Sequence, residues 1–309
     1  MRHLTTFRTI DEIARTGSIR AAAEILSQTP SAVQRRLQGY EDELGYPIFE
    51  RTSKGVRLNT AGELVILHIR ETLAETERLQ SRIADLSGVR RGHVSIGCSQ
   101  ALAPYFLPRE IARFQAESPN VTFSVEVMEH IDVARKLDSY EIDLGIVFDE
   151  RSAPDYKVLM GVPQSLRAVM ARDHPLAQYD TLRLRQCYQY RLILPFRWFG
   201  GRALIERALV GKTFVKPPVL EANSFEMLKA HVALSDAITF QIEIGVPGEA
   251  GGTGAGEGDL VSRPIDPRDV SSGMLFVGQK WERPLPVAVS RFSEQIIREL
   301  ADRYGTIET

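Results

Sequence analysis

The chain has 309 residues, 43% hydrophobic and 25% charged, with a formal net charge of −2 at pH 7. That balance belongs to a folded chain of two or three domains; it excludes a disordered or collagen-like polymer and an enveloping basic field, so any contact with nucleic acid has to be local. Two cysteines, Cys98 and Cys187, are too few for a disulfide framework or a zinc cluster. No run of ~18 apolar residues would span a bilayer, and the first residues lack the apolar core and cleavage site of a secretory signal. The cytoplasm is the expected compartment, with no membrane partner.

Residues 1–60 hold nine bases against seven acids, a net +2, which leaves −4 for the remainder and marks the N-terminal end as the one suited to phosphate. Leu4, Phe7, Ile10, Ile13 and Ala14 share one face of a first helix that Gly17 ends. Ser18 can cap a second helix, Ile19–Leu26, whose Ala21-Ala22-Ala23 lets a neighbour approach closely. Thr29 caps a third helix with Pro30 at its first position, running to about Glu43 and stopping before Gly45. Two helices joined by so short a turn are the helix-turn-helix pattern. In the third helix Val33, Leu37, Tyr40 and Leu44 form an inward stripe. Ser31, Gln34, Arg35 and Gln38 lie opposite, with no carboxylate among them, a composition suited to base edges and phosphates. On spacing alone, a solvated polar face would look the same. Ile48–Arg51 and Val56–Leu58 then read as two short strands turned at Ser53-Lys54-Gly55, a wing edged by Arg51, Lys54 and Arg57. Asn59-Thr60 caps a long helix, Ala61–Ser87, spanning roughly 40 Å. Its apolar residues run from a wide arc (Leu64 to Leu67, Ile69, Leu73) to Leu79, Ile83 and Leu86. A 60-residue domain offers little else to cover such a helix, so pairing with a second copy is favoured over an ordinary amphipathic helix packed on its own domain.

Phe7, Ile10, Gly17-Ser18, Ala22-Ala23, Leu26, Thr29, Ala32-Val33, Leu37, Glu41, Leu44-Gly45, Phe49, Arg51, Leu58 and Thr60-Ala61-Gly62 carry a resemblance. Residues 1–92 are similar to the N-terminal domain of the LysR-type transcriptional regulators. The resemblance implies a winged helix-turn-helix over residues 1–60 and a linker and dimerisation helix over 61–88. It implies binding to double-stranded promoter DNA as a homodimer or tetramer, with RNA polymerase as a further partner. The DNA-binding set is then Ser18, Thr29, Ser31, Ala32, Gln34, Arg35, Arg36 and Gln38, with Arg51, Lys54 and Arg57 on the wing. Two positions depart from the family: Gln34 stands where a serine is usual, and Tyr40 where a leucine is. Gln34 can pair bidentately with adenine, which points to an altered operator preference.

From His93 the period changes. Strands are expected at Val94–Gly97, Val121–Val127, Asp143–Phe148, Leu166–Met170, Leu192–Leu194, Val219–Glu221, Ala237–Ile244 and Met274–Val277. Helices are expected at Ala101–Glu117, Ile131–Ser139, from Gly201, at Ser224–Leu234 and at Pro284–Tyr304. Such alternation predicts parallel sheets with ligand sites beyond the strand C-termini. Gly92, Ile96-Gly97, Leu107-Pro108, Phe114, Pro119, Leu137, Asp143-Leu144 and His174-Pro175-Leu176 resemble the effector domain of the same family. The resemblance implies two α/β lobes of the periplasmic-binding-protein type over residues 93–309, lobe I at about 93–162 and 266–309 and lobe II at about 163–265.

The default ligand site is the cleft between the lobes. Cys98-Ser99-Gln100 leaves a strand and opens a helix, where backbone N–H groups suit a carboxylate or another anion. Ser99 matches the family position that commonly touches the effector. Met128, Phe196, Asn223 and Ser224 are placed around the cleft, although capping and packing would explain them equally. The ligand is a small-molecule effector, an anion among the options; no cofactor, metal or catalytic residue is indicated. The glycine-rich run 248–258 fits no nucleotide-binding spacing and reads as a surface loop. No nucleophile elbow or metal-spaced histidine pair supports an enzyme. Two regulators of the same fold stay open, one acting without an effector and one answering thiol oxidation through Cys98 or Cys187.

Overall fold

The computed structural model describes residues 2–53, 55–86, 91–149, 156–246 and 259–305. The chain divides into two compact units after its fourth helix.

The first unit contains α1 (Arg2–Thr16), α2 (Ile19–Ile25), α3 (Pro30–Leu44), β1 (Phe49–Thr52), β2 (Gly55–Leu58) and α4 (Thr60–Leu86). Local chemistry sets its boundaries. The Ser18 and Thr29 hydroxyls accept the Ala21 and Ala32 N–H groups at 3.3 Å, and Pro30 opens α3 where no N–H is needed. Gly45 closes α3 with φ +82°, a left-handed conformation that other residues adopt at a cost. Ile10, Ile13, Ala22, Ala23, Val33, Leu37, Ile48, Ile66 and Ile69 form one core, and the Tyr40 ring meets Phe7 edge-on at 5.9 Å. Leu44 departs from the expected inward stripe: it is the last residue of α3, beyond the reach of the α1 core, and is 37% exposed. The antiparallel hairpin β1–β2 pairs Phe49 with Leu58 and Glu50 with Arg57. Two contacts fix it: a Glu41 carboxylate oxygen accepts the Ile48 and Phe49 N–H groups at 2.7 and 3.3 Å, and Asn59 Nδ2 donates to the Pro47 carbonyl at 2.9 Å. Gly62 lets α4 start against the hairpin, since a Cβ there would collide with the Ile48 carbonyl oxygen. Along α4 only one stripe is covered; Leu64, Leu67, Leu79 and Ile83 are exposed.

The second unit contains β3 (Arg91–Cys98), α5 (Phe106–Glu117), β4 (Asn120–Val127), α6 (His130–Asp138), β5 (Leu144–Asp149), β6 (Lys157–Gln164) and β7 (Leu166–Ala171). It continues with α7 (Leu184–Cys187), β8 (Ile193–Pro195), α8 (Gly200–Leu209), β9 (Leu220–Ala222) and α9 (Phe225–Val232). It ends with β10 (Thr239–Ile242), β11 (Leu260–Pro264), β12 (Gly273–Gln279) and α10 (Val287–Tyr304). One lobe is a five-stranded sheet of order β4-β3-β5-β12-β6, with α10 packed on β3 and β6 and α6 on β3 and β5. Phe292 of α10 meets Phe114 and Phe123 at 5.3 and 4.9 Å between ring centres. The other lobe holds the sheet β10-β7-β11 and the pair β8–β9.

Three expectations need correction. The sheets are not purely parallel: β3 runs parallel to β4 and β5, but β12 is antiparallel to β5 and β6, and β7 is antiparallel to β10 and β11. The reason is topological: the chain leaves one sheet at the end of β6, enters the other with β7 after Ser165, and returns later as β12, so the crossing strands are not βαβ units. Strands β6 and β11 and the short helix α7 also went unpredicted. The expected helix from Ala101 begins only at Phe106, after a 3₁₀ turn at Gln100–Leu102: Pro104 has no N–H with which to continue the ladder, and Tyr105 leaves helical geometry at φ −125°. Pro286 likewise delays the last helix from Pro284 to Val287. The glycine-rich run 248–258 lies outside the described residues, as do residues 87–90 at the end of the linker region.

One buried network holds the first lobe at its base. The Arg283 guanidinium pairs with Asp143 at 2.7 Å and donates to the Ile142 carbonyl at 3.2 Å, while the Ser95 N–H and hydroxyl donate to the other Asp143 oxygen at 3.0 and 2.6 Å. Both charges are buried and hydrogen-bonded, the condition under which such a pair is tolerated.

Candidate functional site

The first site is the outward face of α3. Ser31, Arg35 and Gln38 are exposed there, and Gln34 and Ala32 are half-buried. Arg35 and Gln34 make no hydrogen bond or ion pair among the described residues. Gln38 donates to Asp42 at 3.0 Å, one turn along the helix. Ser31 lies 3.2 Å from the Thr29 hydroxyl. Thr29 and Ser18, both in the sequence-derived set, have their oxygens engaged as helix caps. Arg36 is turned away from this face. Its Nη1 donates to the Thr9 hydroxyl at 3.0 Å and to Gln28 Oε1 at 2.6 Å, fastening α3 to α1 and to the turn before it. On the hairpin Arg51 is exposed and makes no hydrogen bond or ion pair among the described residues, whereas Arg57 is paired with its cross-strand partner Glu50. Lys54 lies outside the described residues. The free polar groups are thus one amide and one guanidinium on the helix and one guanidinium on the wing.

The second site is a cavity of about 360 Å³ between the two lobes. Its walls follow from the sheet topology: most of the residues lining it come at or just after strand C-termini. Ser99 and Gln100 follow β3, Met128 to His130 follow β4, Trp198 to Gly201 follow β8, and Asn223 follows β9. Ser99 is tied to β5: its N–H donates to the Ile146 carbonyl at 3.0 Å and its hydroxyl accepts the Phe148 N–H at 3.0 Å. Gln100 reaches across the cleft, donating to the Asn223 carbonyl at 3.0 Å and accepting the Phe225 N–H at 2.5 Å. Lys229 makes a second crossing, its ammonium 2.9 Å from the Tyr105 hydroxyl and 4.5 Å from the centre of that ring.

Of the effector residues expected from sequence, Ser99, Gln100, Met128 and Asn223 line the cavity. Cys98 lies fully buried beneath it; Phe196 stacks behind Trp198 at 4.5 Å between ring centres; the Ser224 hydroxyl caps α9 by accepting the Met227 N–H at 3.2 Å. Sequence reasoning missed Glu129, His130, Asp132, Trp198, Gly200 and Gly201. The rule applied to Cys98-Ser99-Gln100, that a ligand sits beyond a strand end, would have found most of them at the ends of β4 and β8.

The lining is acidic rather than basic. Glu129 and Asp132 contribute carboxylates, His130 an imidazole, and no lysine or arginine appears among the described lining residues. Burial holds the Glu129 carboxyl above its ordinary range, with His130 opposing the shift and Asp132 adding to it. The cysteines are poorly placed for redox chemistry. Burial pushes both thiols up to about 12, so the reactive thiolate is scarce at neutral pH.

A family model described as the LysR substrate binding domain matches residues 87–301, and one described as the bacterial regulatory helix-turn-helix protein, lysR family, matches residues 4–63. The transcriptional regulator CysB of Burkholderia cenocepacia is 30% identical over 247 residues, covering 78% of each chain. A probable RuBisCO transcriptional regulator of Synechocystis is 28% identical over 232 residues, 73% of this chain and 67% of that one. Among solved structures, full-length OxyR from Pseudomonas aeruginosa superposes with a TM-score of 0.70 at 19% identity, over 99% of this chain and 98% of that one. CbnR, solved in complex with its target DNA, gives 0.62 at 17% identity over 96% and 99% of the two chains. At those identities the structures speak for the fold alone. Winged helix-turn-helix and two-lobed effector domain match on sequence across both units, and the chain belongs to the LysR family of transcriptional regulators.

Proposed function

We propose that this regulator binds promoter DNA through α3 and the hairpin, acts in the cytoplasm, and is switched by a small molecule held in the interlobe cavity. The observation that carries the reading is that cavity: about 360 Å³, lined from both lobes and bridged by Gln100. A ligand there touches both lobes and so changes their relative free energy, which is the requirement for a population shift. Gln34 and Arg35 are assigned to base edges, with Ser31 and Gln38 beside them, and Arg51 to the phosphate backbone along with Lys54 and Arg57. Arg36 is assigned a structural part. The exposed Leu64, Leu67, Leu79 and Ile83 of α4 support pairing with a second copy, which would offer two recognition helices to a two-fold site.

The test is fluorescence anisotropy of the full chain on a duplex from upstream of its own coding sequence, against a scrambled duplex, across a salt series. Tighter, salt-steep binding to the upstream duplex is expected, and Lys54→Ala should lower the salt slope by about 1 on both duplexes. Equal affinity for the two duplexes, with the chain folded, would overturn the DNA assignment.

A further inference from the structure

We propose that the ligand of this cleft is a zwitterion of the α-amino-acid class, its protonated nitrogen held by the Glu129 carboxylate and its carboxylate by the Gly200 and Gly201 amides. The proposal rests on the cleft being the effector site and goes further by fixing the charge pattern of what enters.

Two groups in the lining lack partners, and they are of opposite sign. Glu129 follows β4 and is half-buried, and its side-chain carboxylate makes no hydrogen bond or ion pair among the described residues. Its neighbour Asp132 differs, because Arg135 lies 3.2 Å from the Asp132 carboxylate. A carboxylate withdrawn from water with only the adjacent His130 imidazole to offset the loss is unfavourable, and a ligand ammonium bonded to it would reverse that. On the other lobe, α8 begins at Gly200 with no side-chain cap from Phe199. The Arg202 and Ala203 N–H groups both return to the Phe199 carbonyl, which leaves the Gly200 and Gly201 N–H groups without an acceptor among the described residues. Both glycines line the cavity, which puts the positive end of a ten-residue helix at its wall. With no lysine or arginine among the described lining residues, an anion alone would find amides, the Ser99 hydroxyl and the His130 imidazole, and would meet two carboxylates. A cation alone would leave the α8 amides unpaired. A zwitterion satisfies both. Trp198, Phe199 and Phe225 also line the cavity, Phe225 lying 5.1 Å from Phe199, and suit an apolar or aromatic side chain.

Trp198 provides the readout, since Trp281 is the only other tryptophan and lies outside the lining. In full-length Trp281→Phe protein, Trp198 emission and melting temperature are followed against three probe sets: the common L-amino acids, their N-acetyl and decarboxylated derivatives, and cation-free carboxylates with sugars and phenols. At least one amino acid is expected to shift both signals. Its N-acetyl and decarboxylated forms should each bind about ten- to a hundredfold more weakly, and Glu129→Gln should weaken the parent by the same factor, as loss of one charged hydrogen bond predicts. Glu129→Lys is a second variant, expected to abolish amino-acid binding. Binding confined to cation-free probes, unchanged or tightened by Glu129→Gln, overturns the zwitterion while leaving the cleft as the ligand site. Silence from all three sets overturns both.

Discussion

Arg35 and Arg36 are adjacent, chemically identical, and predicted to fail in different ways. Arg35 is exposed and unpaired among the described residues, so Arg35→Ala removes nothing from the fold. If Arg35 reads a base, specific binding should weaken by about 1–3 kcal/mol, roughly 5- to 150-fold, with random DNA affected less. Arg36 makes two charge-assisted bonds, at 3.0 and 2.6 Å, and Thr9 behind it is only 1% exposed. Truncation leaves the Thr9 hydroxyl with only its bond to the Thr5 carbonyl at 2.8 Å and takes the Arg36 donor from the Gln28 oxygen. Half-exposure lets water recover part of the loss, leaving about 2 kcal/mol of destabilisation. In a unit of this size that is a drop of about 10 °C in melting temperature. A domain with about 5 kcal/mol in reserve would still be more than 95% folded, so Arg36→Ala should change DNA affinity by less than about twofold. Calorimetry and anisotropy on the full chain measure both quantities. Loss of specific binding in Arg36→Ala at unchanged melting temperature, with Arg35→Ala indistinguishable from the parent, would refute the assignment.

Arg283→Met should destabilise the second unit by about 3 kcal/mol in denaturant unfolding, because the buried Asp143 carboxylate keeps only Ser95 as partner; Asp143→Asn added to it should cost less than the sum of the two single changes. With both thiols near 12, the thiolate fraction at pH 7 is on the order of 10⁻⁵. Thiol reagents and peroxide should therefore leave Cys98 and Cys187 of the folded chain unmodified until denaturant is added, and the Cys98→Ser, Cys187→Ser double variant should keep its DNA response to peroxide identical to the parent. Gln100→Ala should lower the melting temperature of the second unit by the equivalent of about 1–2 kcal/mol and widen its small-angle scattering profile, because it frees the Asn223 carbonyl and Phe225 N–H that hold the lobes together.

What the sequence revealed was local. Ser18, Thr29-Pro30 and Gly45 act within a few residues of themselves, so the helices of the first unit were legible almost to their ends. The alternation of β3, α5, β4, α6 and β5 was equally plain, because each strand is followed at once by the helix that covers it. Strands β6 and β11 were not, since their partners β12 and β7 lie 89 or more residues away in the chain, and β12 is reached only after the chain has crossed to the other lobe and returned. The roles of Arg35 and Arg36 were indistinguishable for a related reason. They sit about 100° apart on a helix, and only the positions of Thr9 and Gln28, supplied by other elements, decide which one turns inward. The cleft was half legible: Ser99 and Gln100 follow a strand that the pattern made obvious, while Gly200 and Gly201 follow a three-residue strand whose meaning depends on its pairing with β9.

The cleft also constrains what a ligand can do. Gln100 and Lys229 already join the lobes through groups that are satisfied without it. A ligand that merely replaced those contacts would exchange one set of bonds for another and leave the balance of open and closed lobes where it was. The contacts that can shift that balance are those unmet without ligand, and they sit on opposite lobes: Glu129 on one, the Gly200 and Gly201 amides on the other. A molecule bridging them gains both interactions only when the lobes are close, and its affinity for that arrangement exceeds its affinity for the open one by the value of one charged hydrogen bond, about 1.5–3 kcal/mol. That is the range of coupling free energy typical of ligand-controlled proteins, and it is available here without any change in the residues that already hold the lobes together.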